Sequence, residues 1–478
     1  MDITINDRPR KTKIVCTIGP SSSSAWVIEE LLQAGMNVAR INFSHGTHNK
    51  HASYMNTIRK VSKQLGLPTA IMQDLPGPKD RTGKVKKGGV LLEKGTEFIV
   101  CTRQVLGDEH QVSIDWVDLP KQVKLGDTIF LDDGIIKLEV TGIDSTDIKC
   151  KVITGGKLGD HRGINVPGIG LEIESVTDED LLHLSFGIKH NVDFVAISFI
   201  KEAEDILRVR HFLHKEGAAP MLIAKIEKLE ALENLDEILE VADGAMVARG
   251  DLGIEIPIQK VPIVQKNIIQ KCNRLGKPVI VATQMLESMV ESPRPTRAEV
   301  TDVANAIFDG TDAIMLSEET AVGRYPTEAV TMMGQVALEA EEVLPYREIL
   351  ANKGKDLQPQ TDDAISYAAC LTAQQLGATA IVAFTASGST ARRVAKYRPE
   401  VNILAITPSQ VTRRQLSLSW GIHAHQVPLA SRIADLFAQG ARLAKESGIA
   451  HDGDLVVITG GVPVGIPGST NLLKVERI

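Results

Sequence analysis

Aromatic residues make up only 4% of this 478-residue chain, so its cores have to be built largely from aliphatic side chains, as in α/β proteins. Long apolar runs are missing as well. None approaches the roughly 20 residues that a membrane-spanning helix needs. The opening stretch, MDITINDRPRKTK, holds no apolar core of the kind a secretory signal carries. The five cysteines, at 16, 101, 150, 272 and 370, lack metal-binding or disulfide spacing, which predicts a reducing, cytoplasmic compartment. A surplus of positive charge is also absent. The formal net charge of −7 argues against broad contact with nucleic acid or an anionic membrane. The familiar phosphate and metalloprotease motifs do not occur: there is no G-x-x-x-x-G-K-[ST] and no H-E-x-x-H, and Gly168-Ile169-Gly170 lacks the third glycine of the dinucleotide fingerprint. Any nucleotide chemistry has to use a different cradle.

What the chain does have is alternation. Its length allows two to four domains. Short β-branched runs predict strands at 13–19, 37–44, 69–75, 193–199, 221–227, 244–251, 278–285 and 312–319, most followed by a helical stretch. Eight such strands predict a closed parallel barrel with its ligands at the strands' C-terminal ends. The spacing breaks once. Residues 76–171 are too many for a loop inside a compact domain. They carry turns at Gly126-Asp127 and Asp133-Gly134 and alternating runs such as DTIFLDD and IIKLEV, and they read as an inserted β-domain placed to act as a lid. Beyond about 345, ANKGKDLQPQTDD (351–363) reads as a polar, lower-order connection. An αβ alternation then resumes as a separate domain. The expected division is 1–75 with 172–345, then 76–171, then 346–478.

The chemistry-bearing residues gather at the ends of the expected strands. In Arg-Ile-Asn-Phe-Ser-His-Gly (40–46), a period of two puts Arg40, Asn42 and Ser44 on one face and leaves Ile41 and Phe43 to be buried. The fifth strand brings Lys225 and Glu227 to one side. The sixth brings Asp251, after Gly250, whose lack of a side chain allows close approach of a ligand. Glu227 and Asp251 form a hard oxygen pair suited to Mg²⁺ or Mn²⁺, with positions left for substrate oxygens. Backbone N–H groups after Gly250 are placed to hold an anion. Thr283, Ser317 and Glu319 complete a polar rim. A surface ion pair is the ordinary reading of Lys225 and Glu227 taken alone. Polar groups on most of eight strands at one rim argue for a ligand site instead.

The segments KTKIVCTIGPSS, VARINFSHG, IAKIEKLEALENLDEIL, MVARGDLGIEIP, VATQMLESM, PRPTRAEVTDVANAIFDGTDAIMLSEETA and GRYP together resemble the pyruvate kinase family, and the likeness runs nearly the whole chain. It implies a TIM (β/α)8 barrel interrupted by a small β-barrel lid domain and followed by a C-terminal α/β regulatory domain, assembled as a homotetramer. It also implies transfer of the phosphoryl group of phosphoenolpyruvate to ADP, giving pyruvate and ATP, the last step of glycolysis. By this resemblance Glu227 and Asp251 bind the divalent metal, and Arg40 and Lys225 neutralise the phosphoryl group. Gly250, Asp251 and Thr283 hold the substrate carboxylate. Asn42, His45, Arg81 and Lys157 fall where the family binds the nucleotide. Lys225 also stabilises the enolate, with Thr283 and Ser317 near a water relay for its protonation.

Some positions depart from the family pattern. The family's potassium ion sits on positions matching Asn42, Ser44, Asp74 and the Leu75 carbonyl. Potassium-dependent members carry a glutamate where GPKDRTG here has Lys79, whose ammonium can supply the missing charge, so K⁺ is not expected to be required. Glu179, in VTDED, stands where a lysine is frequent and removes one expected nucleotide contact. TASGST (Thr385, Ser387, Gly388, Ser389 and Thr390), ahead of a helix expected near Ala391, matches the family's allosteric sugar-phosphate loop. The C-terminal loop GGVPVGIPGSTN lacks the Trp and Arg of bisphosphate-activated members, which favours a hexose or pentose monophosphate or AMP.

Two other readings compete. A Mg²⁺-dependent pyruvate or oxaloacetate lyase or aldolase shares the carboxylate pair but needs neither a lid nor the Arg40–Asn42–Ser44 side. An inactive metabolite sensor is expected to have lost Lys225, Glu227 or Asp251, and all three are present.

Overall fold

The computed structural model describes residues 9–78, 80–132, 134–168, 174–428, 432–463 and 468–478. Eight parallel strands, Lys13–Thr17, Val38–Asn42, Ala70–Asp74, Phe194–Ile197, Met221–Ile226, Gly244–Ala248, Val279–Ala282 and Ala313–Leu316, close into a barrel in chain order, and the last pairs with the first through Lys13 and Ala313. Their interior is filled by Val15, Val38, Met72, Ile223, Met246, Ile280 and Met315, with Phe194 as the one aromatic ring. This is the aliphatic core that a chain poor in aromatics has to build. Local signals set the helices around it: Ser24 accepts the Val27 N–H at the start of Ala25–Ala34, and Gly35, at φ 112°, ends that helix in a conformation that favours glycine.

The strands stop earlier than the sequence pattern predicts. The sixth ends at Ala248, and Arg249–Glu255 is a short helix, so Asp251 sits on a helical turn rather than on a strand. The second ends at Asn42. Arg40 and Asn42 therefore share a strand face, while Ser44 lies in the turn beyond. Beyond both points the chain leaves the sheet to line the opening at the rim.

The expected insertion forms β-structure with its own core of Phe98, Val100, Ile129, Leu138 and Ile148. Val90–Leu92 pairs with Gly156–Leu158, and six further strands form one sheet. Single bridges from Arg81 to Gly163 and from Thr82 to Ile114 tie residues beside its two edge strands together. The C-terminal sheet has four parallel strands, Ile422–Gln426, Asn402–Thr407, Ala380–Phe384 and Leu455–Gly461, and one antiparallel strand, Thr470–Arg477.

The reading of 351–363 as a lower-order connection is corrected. Helix Tyr346–Gly354 occupies its beginning and helix Thr361–Leu376 its end. Leu350, 2% exposed, anchors the first of these helices in the C-terminal core, an anchor outside the polar window that suggested a loop.

The C-terminal unit docks on the barrel floor, opposite the polar rim. Leu418 plugs the barrel's own interior cluster. Burying such a side chain contributes about 1.5–3 kcal/mol. Arg398 grips both oxygens of Asp312 at 3.2 and 3.0 Å, and Lys13 Nζ donates to the Ile422 carbonyl at 2.8 Å. Among the described residues, no helix is long and apolar enough to cross a membrane.

Candidate active site

At the C-terminal rim of the barrel a cavity of about 430 Å³ opens between the strand ends and the inserted unit. Arg40, Asn42, Ser44, His45, Ser198, Lys225, Glu227 and Asp251 line it from the barrel side. Arg81, Asp132, Asp160, His161 and Arg162 line it from the insertion.

Asp74 is the hub. It ends the third strand, 1% exposed, and its Oδ2 accepts from Arg40 Nε at 2.6 Å while its Oδ1 lies 3.2 Å from Lys225 Nζ. The barrel register explains the meeting: Arg40 is opposite Met72 and Asn42 opposite Asp74 on one side, and Ala196 is opposite Asp74 on the other. Arg40 Nη1 also donates to Thr17 Oγ1 at 2.9 Å. Lys225 Nζ donates to Ser198 Oγ at 2.6 Å, and Ser198 in turn donates to the Leu75 carbonyl at 2.6 Å. The two cations are thus fixed side by side, aimed at one end of the cavity.

Glu227 completes the cluster. Its Oε2 accepts from the Phe199 N–H at 2.8 Å, with Phe199 held at φ 53°, a backbone state that costs a bulky residue energy. Lys225 Nζ lies 2.9 Å from the buried Oε1. Burial lowers the Lys225 ammonium's affinity for its proton, but the Asp74 and Glu227 carboxylates outweigh this and the net shift is upward. Burial likewise pushes Asp74 up, and Lys225 and Arg40 more than reverse it, leaving it below the usual carboxylate range. Glu227 stays raised, through burial first and then through Asp251, against the pull of Lys225.

Arg40 and Lys225 are thus packed against the buried carboxylates of Asp74 and Glu227, with Asp251 close by. That donor set fits a hard divalent cation. Among the described residues no group of three His, Cys, Asp or Glu side chains is placed to hold a metal, so the remaining positions would fall to substrate oxygens or water.

Other rim residues are used differently from the sequence expectation. Thr283 follows the seventh strand at φ 70°, an uncommon state for a β-branched residue, and its Oγ1 accepts from the Gly250 N–H at 2.9 Å. This amide, expected to face a carboxylate, is turned to Thr283 here. Glu319, expected on the polar rim, points inward: 2% exposed, it accepts from the Leu286 N–H at 3.1 Å and the Ser317 N–H at 2.7 Å, clamping two loops, while Glu318 lines the cavity. The Ser317 and Thr283 side chains are not among the lining groups.

On the side expected to take the nucleotide, Asn42 Oδ1 accepts from the Ser44 N–H at 3.1 Å, and Arg81 Nη1 donates to the His161 carbonyl at 3.1 Å. Lys157 stands opposite Leu91 on the two-stranded ribbon, outside the cavity lining. Glu179, exposed and 3.7 Å from His183 Nε2, is also outside it. Of the potassium positions, Asn42 and Ser44 line the cavity, while Asp74 and the Leu75 carbonyl already carry partners. Lys79 lies outside the described residues.

Sequence reasoning missed Ser198, Asp132, Asp160, His161 and Arg162. A signal existed for three of these, the polar run Asp-His-Arg bracketed by Gly159 and Gly163.

In the C-terminal unit, Ser389–Lys396 is helical, starting two residues earlier than expected, with Gly388 before it at φ 87°. Thr385 Oγ1 accepts from the Gly388 N–H at 2.9 Å, and Ser387 Oγ lies 3.2 Å from Ser389 Oγ. The buried Thr390 hydroxyl turns inward to Thr470 Oγ1 at 2.7 Å.

The chain is similar to known proteins over nearly its whole length. A family model described as the pyruvate kinase barrel domain matches residues 9–330, and one described as the pyruvate kinase alpha/beta domain matches residues 363–476. The pyruvate kinase of Geobacillus stearothermophilus is 48% identical over 472 residues, covering 98% of this chain and 80% of that protein. That of a Staphylococcus epidermidis strain is 47% identical over 471 residues, with the same coverage. A crystal structure of a pyruvate kinase from Cryptosporidium parvum has a TM-score of 0.92 at 36% identity, covering 98% of this chain and 96% of that one.

Proposed function

This chain belongs to the pyruvate kinase family, and from that premise we propose that Arg40, Lys225, Glu227 and Asp251 form its phosphoryl-transfer centre. The protein is a phosphotransferase that uses phosphoenolpyruvate and ADP. The observation that carries the site assignment is the pair of cations locked on Asp74 beside the buried carboxylate of Glu227.

Glu227 and Asp251 hold a divalent cation, Mg²⁺ or Mn²⁺, which when bound neutralises charge on substrate oxygens. The remaining work belongs to the chain. Arg40, braced by Asp74 and Thr17, presents its guanidinium to the phosphoryl group without having to reorganise. Lys225, kept charged by its two carboxylates, offers an ammonium to the phosphoryl oxygens and then to the enolate oxygen. Transfer is thereby a matter of positioning and charge neutralisation. Gly250, Asp251 and Thr283 take the substrate carboxylate in this reading, after the Gly250 amide leaves Thr283. Thr283 and Ser317 serve the protonation of the enolate. Asn42, His45 and Arg81 form the nucleotide side, with Lys157 brought in by movement of the inserted unit (76–171), which acts as the lid. ATP formation from phosphoenolpyruvate and ADP, followed by a coupled assay, tests the whole; none from the intact protein would end it.

Two finer expectations follow. With Lys79 in place of the glutamate, turnover in potassium-free, sodium-free buffer should not rise on adding KCl, and a manyfold rise would sink the idea. For regulation, Thr385, Ser387, Gly388, Ser389 and Thr390 form the seat of a sugar monophosphate or AMP. At sub-saturating phosphoenolpyruvate, a hexose or pentose monophosphate or AMP should raise the rate and fructose bisphosphate should not; the opposite order overturns it.

A further inference from the structure

The turn 43–47 carries Ser44 and His45, both exposed, into the cavity between the second strand and helix His48–Leu65. It is held at its start by the Phe43 N–H, which donates to the Asp74 carbonyl at 3.0 Å. Its middle is held by two side chains: Asn42 Oδ1 accepts the Ser44 N–H at 3.1 Å, and His51 reaches the His45 carbonyl. His51, 3% exposed on the first turn of that helix, places Nε2 2.8 Å from the His45 carbonyl oxygen and packs its ring on Phe43 with centroids 4.2 Å apart.

Only a protonated Nε2 can donate to that carbonyl. His51 Nδ1 is buried with no partner among the described residues, so the ring is the neutral tautomer with its single proton on Nε2. Burial favours this neutral form, against the raising pull of the His45 carbonyl and together with nearby His48 and His183. Space is tight at the same point. A Cβ on Gly46, which sits at φ 93°, would come within 2.9 Å of His51 Nε2.

We propose that His51 is a positioning residue for the nucleotide, fixing the turn that presents Ser44 and His45. The inference rests on the reading that His45 faces ADP. His51 does not line the cavity and touches no substrate; it acts through the His45 backbone.

The test compares His51→Leu, His51→Gln, Gly46→Ala and His45→Ala in the coupled assay, with ADP binding by calorimetry and melting temperatures alongside. Loss of one hydrogen bond predicts that His51→Leu raises the KM and Kd for ADP by up to about tenfold, with kcat and the KM for phosphoenolpyruvate nearly unchanged. Glutamine, whose amide nitrogen can reach the same carbonyl, should restore most of the loss. Gly46→Ala keeps the imidazole and crowds the same contact. The left-handed φ there strains any side chain too, so Gly46→Ala should reproduce the selective effect on ADP through the turn itself, and His51→Gln decides the matter if His51→Leu does not fold. A rise with His45→Ala but none with His51→Leu or Gly46→Ala overturns the inference while leaving the nucleotide reading in place. A general loss of stability and of both KM values that glutamine does not rescue also overturns it, because that marks a purely structural residue. No change in any variant overturns both.

Discussion

Replacing Lys225 with methionine should lower kcat by about three to five orders of magnitude, the range seen when a cation on the transferring phosphoryl group is removed. Methionine keeps most of the apolar stem and removes the ammonium together with its hydrogen bond to Ser198. Without Lys225, the buried carboxylates of Asp74 and Glu227, with Asp251 close by, lose their nearest ammonium where an anionic substrate has to enter. The low local dielectric makes that loss larger than it would be in water. The variant pays a stability penalty too. Breaking a buried ion pair costs about 3–5 kcal/mol at the upper end. Part of that is avoided here because Arg40 still holds Asp74 Oδ2 and the Phe199 N–H still holds Glu227 Oε2. Circular dichroism melting alongside the coupled assay separates the two effects. A folded Lys225→Met protein with kcat within about tenfold of the parent would exclude Lys225 from the transfer step.

Glu227→Gln comes second. The amide oxygen can keep the contact with the Phe199 N–H, so the loop at φ 53° stays in place, while the other carboxylate oxygen becomes an NH₂ that repels a cation. Apparent affinity for Mg²⁺ should fall by at least about 100-fold, more than the 10–100-fold typical of losing a group that only supports a metal ligand. Activity at fixed, modest Mg²⁺ should drop by about two to three orders of magnitude. Mn²⁺ binding followed by paramagnetic resonance gives a readout independent of turnover. An unchanged Mn²⁺ isotherm would show that the carboxylate is not a ligand.

Much of the site was legible in the sequence because its signals are local. Lys225 and Glu227 lie two residues apart across a strand end, Glu227 one residue past Ile226, and their groups lie 2.9 Å apart. Arg40 and Asn42, both within a strand, obey the period of two. Ser44 does not, because the strand ends at Asn42 and the chain turns. Glu319 looked like a rim carboxylate for the same reason of spacing, yet two unpaired backbone N–H groups, at Leu286 and Ser317, draw it inward. Residues 351–354 looked like linker because their polarity is local, while the contact that makes them helical, Leu350 in the C-terminal core, is not.

Local periodicity and β-branched runs determined on their own that eight strands exist, roughly where they lie, and which polar residues stand at their ends, since these depend only on neighbours a few positions away. The tertiary structure alone decided that Asp74 joins Arg40 to Lys225, that Ser198 braces the lysine, that Arg162 and His161 of the insertion complete the cavity, and that Leu418 of the C-terminal unit plugs the barrel floor. Those pairings come from elements far apart in the chain. Their strength comes from burial and from the register at which the barrel closes, and neither exists until the whole chain has folded.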